Sequence, residues 1–229
     1  MPAEANPTLR IEPADVNPTL RITEIFHSIQ GESSRVGLPT VFVRLTGCPL
    51  RCVWCDTAYA FSGGESLAMD EVLRRVGGFD CRTVCVTGGE PLAQKGCLPL
   101  LAALCDAGYS VSLETSGALD IAGVDPRVSR IVDLKAPGSG EQEKNRWENL
   151  ALLTARDELK FVLASRADYD WAVAACRQRR LFATCPVLFS PVHGQLDPAR
   201  LAQWILDDRL PLRFQLQLHK LLWGNAQGR

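Results

Sequence analysis

From Arg21 onward the chain alternates short, β-branched apolar runs with segments of helical pattern, and this alternation limits the folds open to it more than any other feature. Strand-like runs lie at Thr40–Leu45, Thr83–Val86, Ser110–Leu113, Ile131–Leu134, Leu159–Leu163, Pro186–Phe189 and Phe214–Leu218. Between them, helical patterns cover Asp70–Val76, Leu98–Ala107, Arg146–Thr154, Tyr169–Arg179 and Pro198–Leu206, with Asp70, Asp168 and Asp197 placed as N-caps. Leu119–Val124 fits neither pattern. Strands and helices spaced in this way predict βαβ units on a parallel sheet. About six units are countable, short of the eight that close a barrel. The expected fold is therefore α/β, an open or partial barrel of about six βα units, with functional residues in the loops at the C-terminal strand ends.

A chain of 229 residues suits one domain, here residues 20–229 behind a proline-rich tail at 1–19. Within and just after that tail, Asn6-Pro7-Thr8-Leu9-Arg10-Ile11 recurs as Asn17-Pro18-Thr19-Leu20-Arg21-Ile22, a short tandem duplication that gives the first copy no evident role. Lys and Arg total 25 against 26 Asp and Glu, a net charge of -1, which argues against capture of nucleic-acid backbones. The longest apolar runs are too short to span a bilayer, and the N-terminus lacks the basic and apolar regions of a secretory signal. No nucleic-acid or membrane partner is expected, and the cytoplasm is the default compartment. Nine cysteines, an odd number with no export signal, fit metal ligation or burial better than a disulfide framework.

Three of those cysteines crowd the loop Gly47-Cys48-Pro49-Leu50-Arg51-Cys52-Val53-Trp54-Cys55-Asp56-Thr57, directly after the Val41–Leu45 strand. Gly47 and Pro49 oppose a regular helix, so the loop is free to wrap around a centre. Three thiolates can hold three irons of a four-iron cluster and leave the fourth open to a ligand. Structural zinc usually takes four ligands in paired C-x2-C spacing, and here only Cys52 and Cys55 have it. Plain burial is the remaining alternative. After the next strand comes Thr87-Gly88-Gly89-Glu90-Pro91, which is either a turn or a place where a ligand approaches the backbone.

The C-x3-C-x2-C spacing, with Trp54 before its last cysteine, resembles the cluster signature of the radical S-adenosylmethionine enzymes, and Thr87–Pro91 resembles their GGEP loop. The resemblance implies a partial barrel of about six βα units, in agreement with the count above. It also implies a 4Fe-4S cluster on Cys48, Cys52 and Cys55, with S-adenosylmethionine chelating the open iron. Further residues narrow the likeness: Glu24-Ile25-Phe26-His27-Ser28-Ile29-Gln30-Gly31-Glu32, Arg44, Cys55-Asp56-Thr57 and Gln217-Leu218-His219-Lys220. Together they resemble the 7-carboxy-7-deazaguanine synthase family over about residues 22–222.

That family's reaction would be the implied one: 6-carboxy-5,6,7,8-tetrahydropterin becomes 7-carboxy-7-deazaguanine with loss of ammonia, on the route to queuosine and related deazapurines. In it, reductive cleavage of S-adenosylmethionine yields a 5′-deoxyadenosyl radical that takes a hydrogen from C6 of the pterin. By the same resemblance, Trp54, Cys55, Asp56 and Gly89 would touch S-adenosylmethionine, as would Asp133, Leu134, Lys135, Ser190, Pro191, Val192 and His193. Ile29, Gln30, Gly31, Arg44 and Thr87 would bind the pterin, and Thr57 would offer a hydroxyl to Mg²⁺. A flavodoxin- or ferredoxin-like electron donor and a homodimer are implied as well.

The residue types suit these roles. An arginine fork matches a carboxylate, Gln30 offers both a donor and an acceptor, and Mg²⁺ takes oxygen ligands. Read without the resemblance, Arg44 is equally a surface ion-pair partner and Thr57 equally an N-cap. Leu221–Arg229 runs past the point where some relatives end, so a terminal contact with the substrate is not expected. Two other functions compete: an activase that places a glycyl radical on a partner protein, and a zinc-stapled binding module. The Gln30-Gly31-Glu32 phrase argues against the first, and iron content separates the second.

Overall fold

The computed structural model describes residues 17–229. The first copy of the duplicated segment, and the expected tail as far as residue 16, lie outside the described residues. The second copy enters the fold, since β1 begins at Thr19. β1 (Thr19–Ile29) pairs antiparallel with β2 (Pro39–Leu45) on one side and with the short β3 (Glu65–Ala68) on the other. From β2 the sheet continues in parallel through β4 (Thr83–Gly88), β5 (Ser110–Thr115), β6 (Ser129–Asp133), β7 (Glu158–Leu163), β8 (Val187–Pro191) and β9 (Arg213–Phe214). The order is β3-β1-β2-β4-β5-β6-β7-β8-β9, one open sheet, as the alternation predicts. The parallel strands are apolar along most of their length because helices and loops cover their outer face. Val84, Cys85 and Val86 are fully buried, as are Leu188 and Phe189.

Four helices carry crossovers, and each buries one stripe. Helix α1 (Met69–Gly77) buries Val72 and Val76; α2 (Cys97–Asp106) buries Leu100, Leu101 and Leu104. Helix α3 (Arg166–Gln178) buries Tyr169, Ala172, Val173 and Cys176, and α4 (Pro198–Asp207) buries Leu201 and Ile205. A fully buried leucine contributes ~1.5–3 kcal/mol. Among the described residues no helix is long and apolar enough to cross a membrane.

The departures from the sequence expectations have local causes. Asp197 caps α4, its carboxylate accepting from Ala199 N at 2.9 Å. Asp70 sits inside the first turn of α1, after an uncapped Ala68. Ser165, not Asp168, caps α3, and the buried Asp168 instead accepts from Gly138 N and Ala164 N. The expected helix at 146–154 is a 3-10 segment, Trp147–Leu152. Asn149 pins it by donating to Gly117 O and Leu119 O and accepting from Ile121 N, which also accounts for the irregular 119–124 stretch. β1 and β3 were missing from the apolar runs because β1 alternates its burial and β3 is half exposed.

The last expected strand stops after two residues. Gln215 there accepts from Ser33 N at 2.8 Å and donates to Ser33 O at 2.7 Å, which draws the chain off the sheet. Leu218 then opens α5 (Leu218–Trp223), with its N–H on Gly31 O. The β1–β2 loop thus contacts elements at the far end of the sheet: Ser34 N donates to Glu158 at 2.9 Å, and Lys160 bonds Glu32. Loop and side-chain hydrogen bonds, not strand pairs, bridge the two ends of the open sheet.

Outside the loop, Cys85, Cys97, Cys176 and Cys185 are buried and Cys81 and Cys105 half-buried; Cys81 and Cys185 lie just before strands, not within them. Burial pushes the Cys97, Cys176 and Cys185 thiols up to about 12, so all three are inert at neutral pH.

Candidate active site

One cavity of about 780 Å³ opens against the C-terminal ends of the parallel strands. The cysteine loop forms one wall. It leaves β2 through Gly47, whose φ of +99° is a backbone state that residues with a Cβ rarely adopt. Arg51 ties the loop to itself, donating to Cys48 O at 2.7 Å and Leu50 O at 2.6 Å while stacking 4.3 Å over the Phe61 ring. Val53 N donates to Ser139 O at 3.0 Å, which anchors the far side. Cys48, Cys52 and Cys55 are free, half-buried and on the cavity wall. Burial raises the Cys48 and Cys52 thiols, and the Lys135 ammonium works in the opposite direction on both. Three unpaired thiols facing one space with a cation beside them suit an anionic iron–sulfur cluster. Among the described residues no three His, Cys, Asp or Glu side chains stand close enough together to hold a single ion.

The Thr87–Pro91 loop packs backbone to backbone against this wall. Gly89 N donates to Leu45 O at 3.1 Å and Glu90 N to Gly47 O at 2.8 Å. A Cβ on Gly89 would stand 2.7 Å from Cys48 Cβ and nearer still to Gly47 O. The turn reading of Gly88-Gly89 is thus too weak, because the glycines let two functional loops touch. Glu90 is buried and accepts from Leu92 N at 3.0 Å, Ser116 N at 2.7 Å and the Thr115 hydroxyl, so it clamps the loop to β5.

The opposite wall is made of charged and amide side chains. Arg44 donates from Nε to Glu24 at 2.7 Å and lies 5.9 Å from the centroids of both Phe26 and Tyr59. It is an ion-pair partner, as the bare residue reading allowed, but a half-buried one on the cavity wall. Thr87 Oγ1 donates to Glu114 Oε2 at 3.0 Å and Gln30 Nε2 to Glu114 Oε1 at 3.3 Å. Thr57 precedes a 3-10 turn without capping it, and its hydroxyl donates to Asp56 Oδ1 at 2.8 Å. Asp56 also accepts from Gln217 at 3.2 Å and faces His219 and Lys220 at 3.8 and 3.9 Å. Burial would raise the Asp56 carboxyl, but nearby His219, the bond from Thr57 and the Lys220 charge hold it well below the usual range. Lys160 sits between Glu32 and Asp133, 3.6 Å from the latter, and Lys135 pairs with Asp133 at 3.0 Å. Against the cost of burial, Lys160 and His219 keep Glu32 ionised and the surrounding carboxylates keep Lys160 charged.

All five residues assigned to the pterin line this cavity, as do Cys48, Cys52, Trp54, Cys55, Asp56, Thr57, Gly89, Asp133, Lys135, Val192 and His193. Leu134, Ser190 and Pro191 are not on its wall. All three are buried, Leu134 in the apolar core between the cavity-lining Asp133 and Lys135. Asp133 Oδ1 is a buried acceptor without a partner among the described residues, which suits a wall that receives a ligand donor. Sequence reasoning assigned no role to Glu24, Glu32, Tyr59, Glu114 or Lys160. The available signal was charge inside largely buried strands, as with Lys160 in Glu158–Leu163 and Glu114 in Ser110–Thr115. The end of the chain also departs from expectation, since Asn225, Gln227 and Arg229 return to line the cavity.

Residues 42–180 match the radical SAM superfamily. The chain is 51% identical over 211 residues to the 7-carboxy-7-deazaguanine synthase of Chlorobaculum tepidum, covering 90% of this chain and 96% of that protein. It is 45% identical over 221 residues to the enzyme of the same name from Koribacter versatilis, covering 88% and 96%. The crystal structure of QueE from Escherichia coli superposes with a TM-score of 0.70 at 24% identity, over 88% of this chain and 95% of that one. With the cysteine wall, the glycine loop packed on it and this likeness along nearly the whole chain, the protein belongs to the 7-carboxy-7-deazaguanine synthase family of radical SAM enzymes.

Proposed function

We propose that the chain converts 6-carboxy-5,6,7,8-tetrahydropterin to 7-carboxy-7-deazaguanine with loss of ammonia, a carbon–nitrogen lyase step toward queuosine. The observation that carries this reading is one cavity with three free thiols on one wall and Gln30, Arg44, Thr87 and Glu114 on the other. Cys48, Cys52 and Cys55 would hold a 4Fe-4S cluster. Trp54, Gly89 and Lys135 line the space beside it for S-adenosylmethionine. When bound, these groups supply the one-electron chemistry and the hydrogen abstraction at C6. The chain's own part is to bind and orient the pterin and to exclude water. Arg44 presents its guanidinium to the carboxylate, while Gln30, Thr87 and Glu114 form a polar edge for the pyrimidinone. The Thr57 hydroxyl would give Mg²⁺ one oxygen, with substrate and water supplying the rest.

Anaerobic reconstitution followed by product analysis tests the reading. About four irons per chain and a product with the mass of the carboxylated deazaguanine are expected. A zinc-bearing protein, or a four-iron protein that cleaves S-adenosylmethionine but leaves the pterin intact, would overturn it. The homodimer and the flavodoxin- or ferredoxin-like donor belong to the same proposal. Light scattering, and turnover with each reduced donor, test them.

A further inference from the structure

We infer that Glu24 and Tyr59 are positioning residues that aim the Arg44 guanidinium into the cavity, and that an irregularity in β1 exists to put Glu24 there. The inference rests on the reading that Arg44 receives the pterin carboxylate. Along β1 the antiparallel register runs Ile22↔Leu45 and then Glu24↔Arg44, so one residue of β1, Thr23, is extra. Without that bulge Glu24 would stand opposite Val43, on the face where Ile22, Val43 and Leu45 are buried in the core. The bulge turns Glu24 onto the Arg44 face, a common use of such irregularities beside active sites. The Thr23 hydroxyl, 2.7 Å from that of Thr46, fastens the bulge to the start of the cysteine loop.

At that position Glu24 Oε1 receives two donors, Arg44 Nε and Tyr59 OH, each at 2.7 Å. The Phe26 and Tyr59 ring centroids each lie 5.9 Å from the guanidinium carbon. Nε is therefore occupied, and two rings stand beside the group. The two terminal nitrogens of Arg44 make no hydrogen bond among the described residues, and Arg44 lines the cavity. A carboxylate would meet them end-on, by both prongs at once. Glu24 has no part in binding the substrate itself and acts through the arginine.

The test compares Glu24→Ala, Glu24→Gln, Tyr59→Phe, Arg44→Lys and the Glu24→Ala/Arg44→Lys double variant in the reconstituted enzyme. Glu24→Ala should raise KM for the carboxylated pterin about tenfold, the effect of one charge-assisted hydrogen bond, with iron content and S-adenosylmethionine cleavage in the absence of pterin retained. Glu24→Gln keeps an oxygen for Nε and should recover most of the loss, and Tyr59→Phe should cost a few-fold. The double variant should be no worse than Arg44→Lys alone. Inhibition by 6-carboxypterin should weaken in Glu24→Ala, while inhibition by pterin itself, which lacks the carboxylate, should not change.

Additive effects in the double variant, or equal weakening of both inhibitors, would overturn the positioning role. If Glu24→Ala does not fold, Glu24→Gln and Tyr59→Phe against the two inhibitors decide the matter in the same way. If Arg44→Lys leaves KM for the pterin unchanged, the carboxylate reading itself fails, an outcome distinct from a sensitive Arg44 with an indifferent Glu24.

Discussion

The two walls of the cavity are built by different means. On the cysteine wall the contacts are backbone on backbone: Gly89 N on Leu45 O, Glu90 N on Gly47 O, Val53 N on Ser139 O. Its reactive groups follow one another within eight residues of a single loop. On the opposite wall the contacts are side chain on side chain between distant parts of the chain. Gln217 meets Glu32 across 185 residues, Lys160 meets Glu32 across 128, and Thr87 meets Glu114 across 27. The first wall can be described as a spacing. The second exists only once the sheet has curved and its ends have been bridged. Accordingly, one wall should fail locally, by losing its cofactor, and the other cooperatively, by losing its shape.

The most severe way to break the cysteine wall is Cys52→Ala, which should abolish iron binding and turnover together. The control Cys97→Ala removes a fully buried thiol and should keep the iron at a stability cost of about 1 kcal/mol. Iron analysis of the two variants decides; a full, active cluster in Cys52→Ala would show that the wall has been misplaced.

For the opposite wall the corresponding change is Lys160→Met. It leaves the buried Glu32 facing Gln217 without its cation, and removing one partner of a buried pair costs about 3–5 kcal/mol. Chemical denaturation should show that loss, with the iron of the surviving folded protein intact. Iron lost in parallel with stability would mean that the walls are not independent.

Gly89→Ala sharpens the contrast from the cofactor side. The added methyl group enters the space of Gly47 O and Cys48 Cβ, so one loop must move. Overpacking of this kind costs about 1–3 kcal/mol. Here it should appear mainly as S-adenosylmethionine affinity reduced by about one to two decades, read by titration, with pterin inhibition constants little changed.

A smaller effect lies outside the cavity and calibrates the others. Asp157 accepts from Arg130 at 2.6 Å and from Thr154 N at 2.7 Å. Burial would raise its carboxyl, but these bonds hold it below the usual value. A depressed carboxyl contributes stability above its unfolded value of about 3.9, and that contribution is lost as the pH falls through the folded value. Asp157→Asn should therefore cost on the order of 1.5 kcal/mol at pH 7 and progressively less below about pH 4. Denaturation at pH 7 and pH 3 measures the difference; a constant gap would mean that the charge of Asp157 contributes nothing.

The sheet and the cysteine wall were legible before any coordinates because their determinants are local. A β-branched run of five residues becomes a parallel strand wherever helices can cover it, and three thiols in eight residues share one loop in any conformation. Arg44 and Gln30 were legible as chemistry but not as geometry. Leu134, Ser190 and Pro191 show the limit, since a motif carried over as a contiguous stretch does not say which of its side chains reach the cavity and which are packed into the core around it. The 3-10 segment at Trp147–Leu152 shows it again: its pattern is helical, but three hydrogen bonds between Asn149 and a distant loop, two donated and one accepted, override propensity.

By itself, then, the sequence determined the fold class, the strand that carries the thiols and the loop beside it, through periodicity and spacing acting over a few residues. Only the tertiary structure decided which charges face one another across the cavity. A one-residue register shift in β1, a glutamine that draws the end of β9 toward Ser33, and a lysine in the middle of β7 place Glu24, Gln217 and Lys160 where they are. Each of these depends on where a second, distant segment lies, and a buried charge is tolerated only after that segment has supplied its partner.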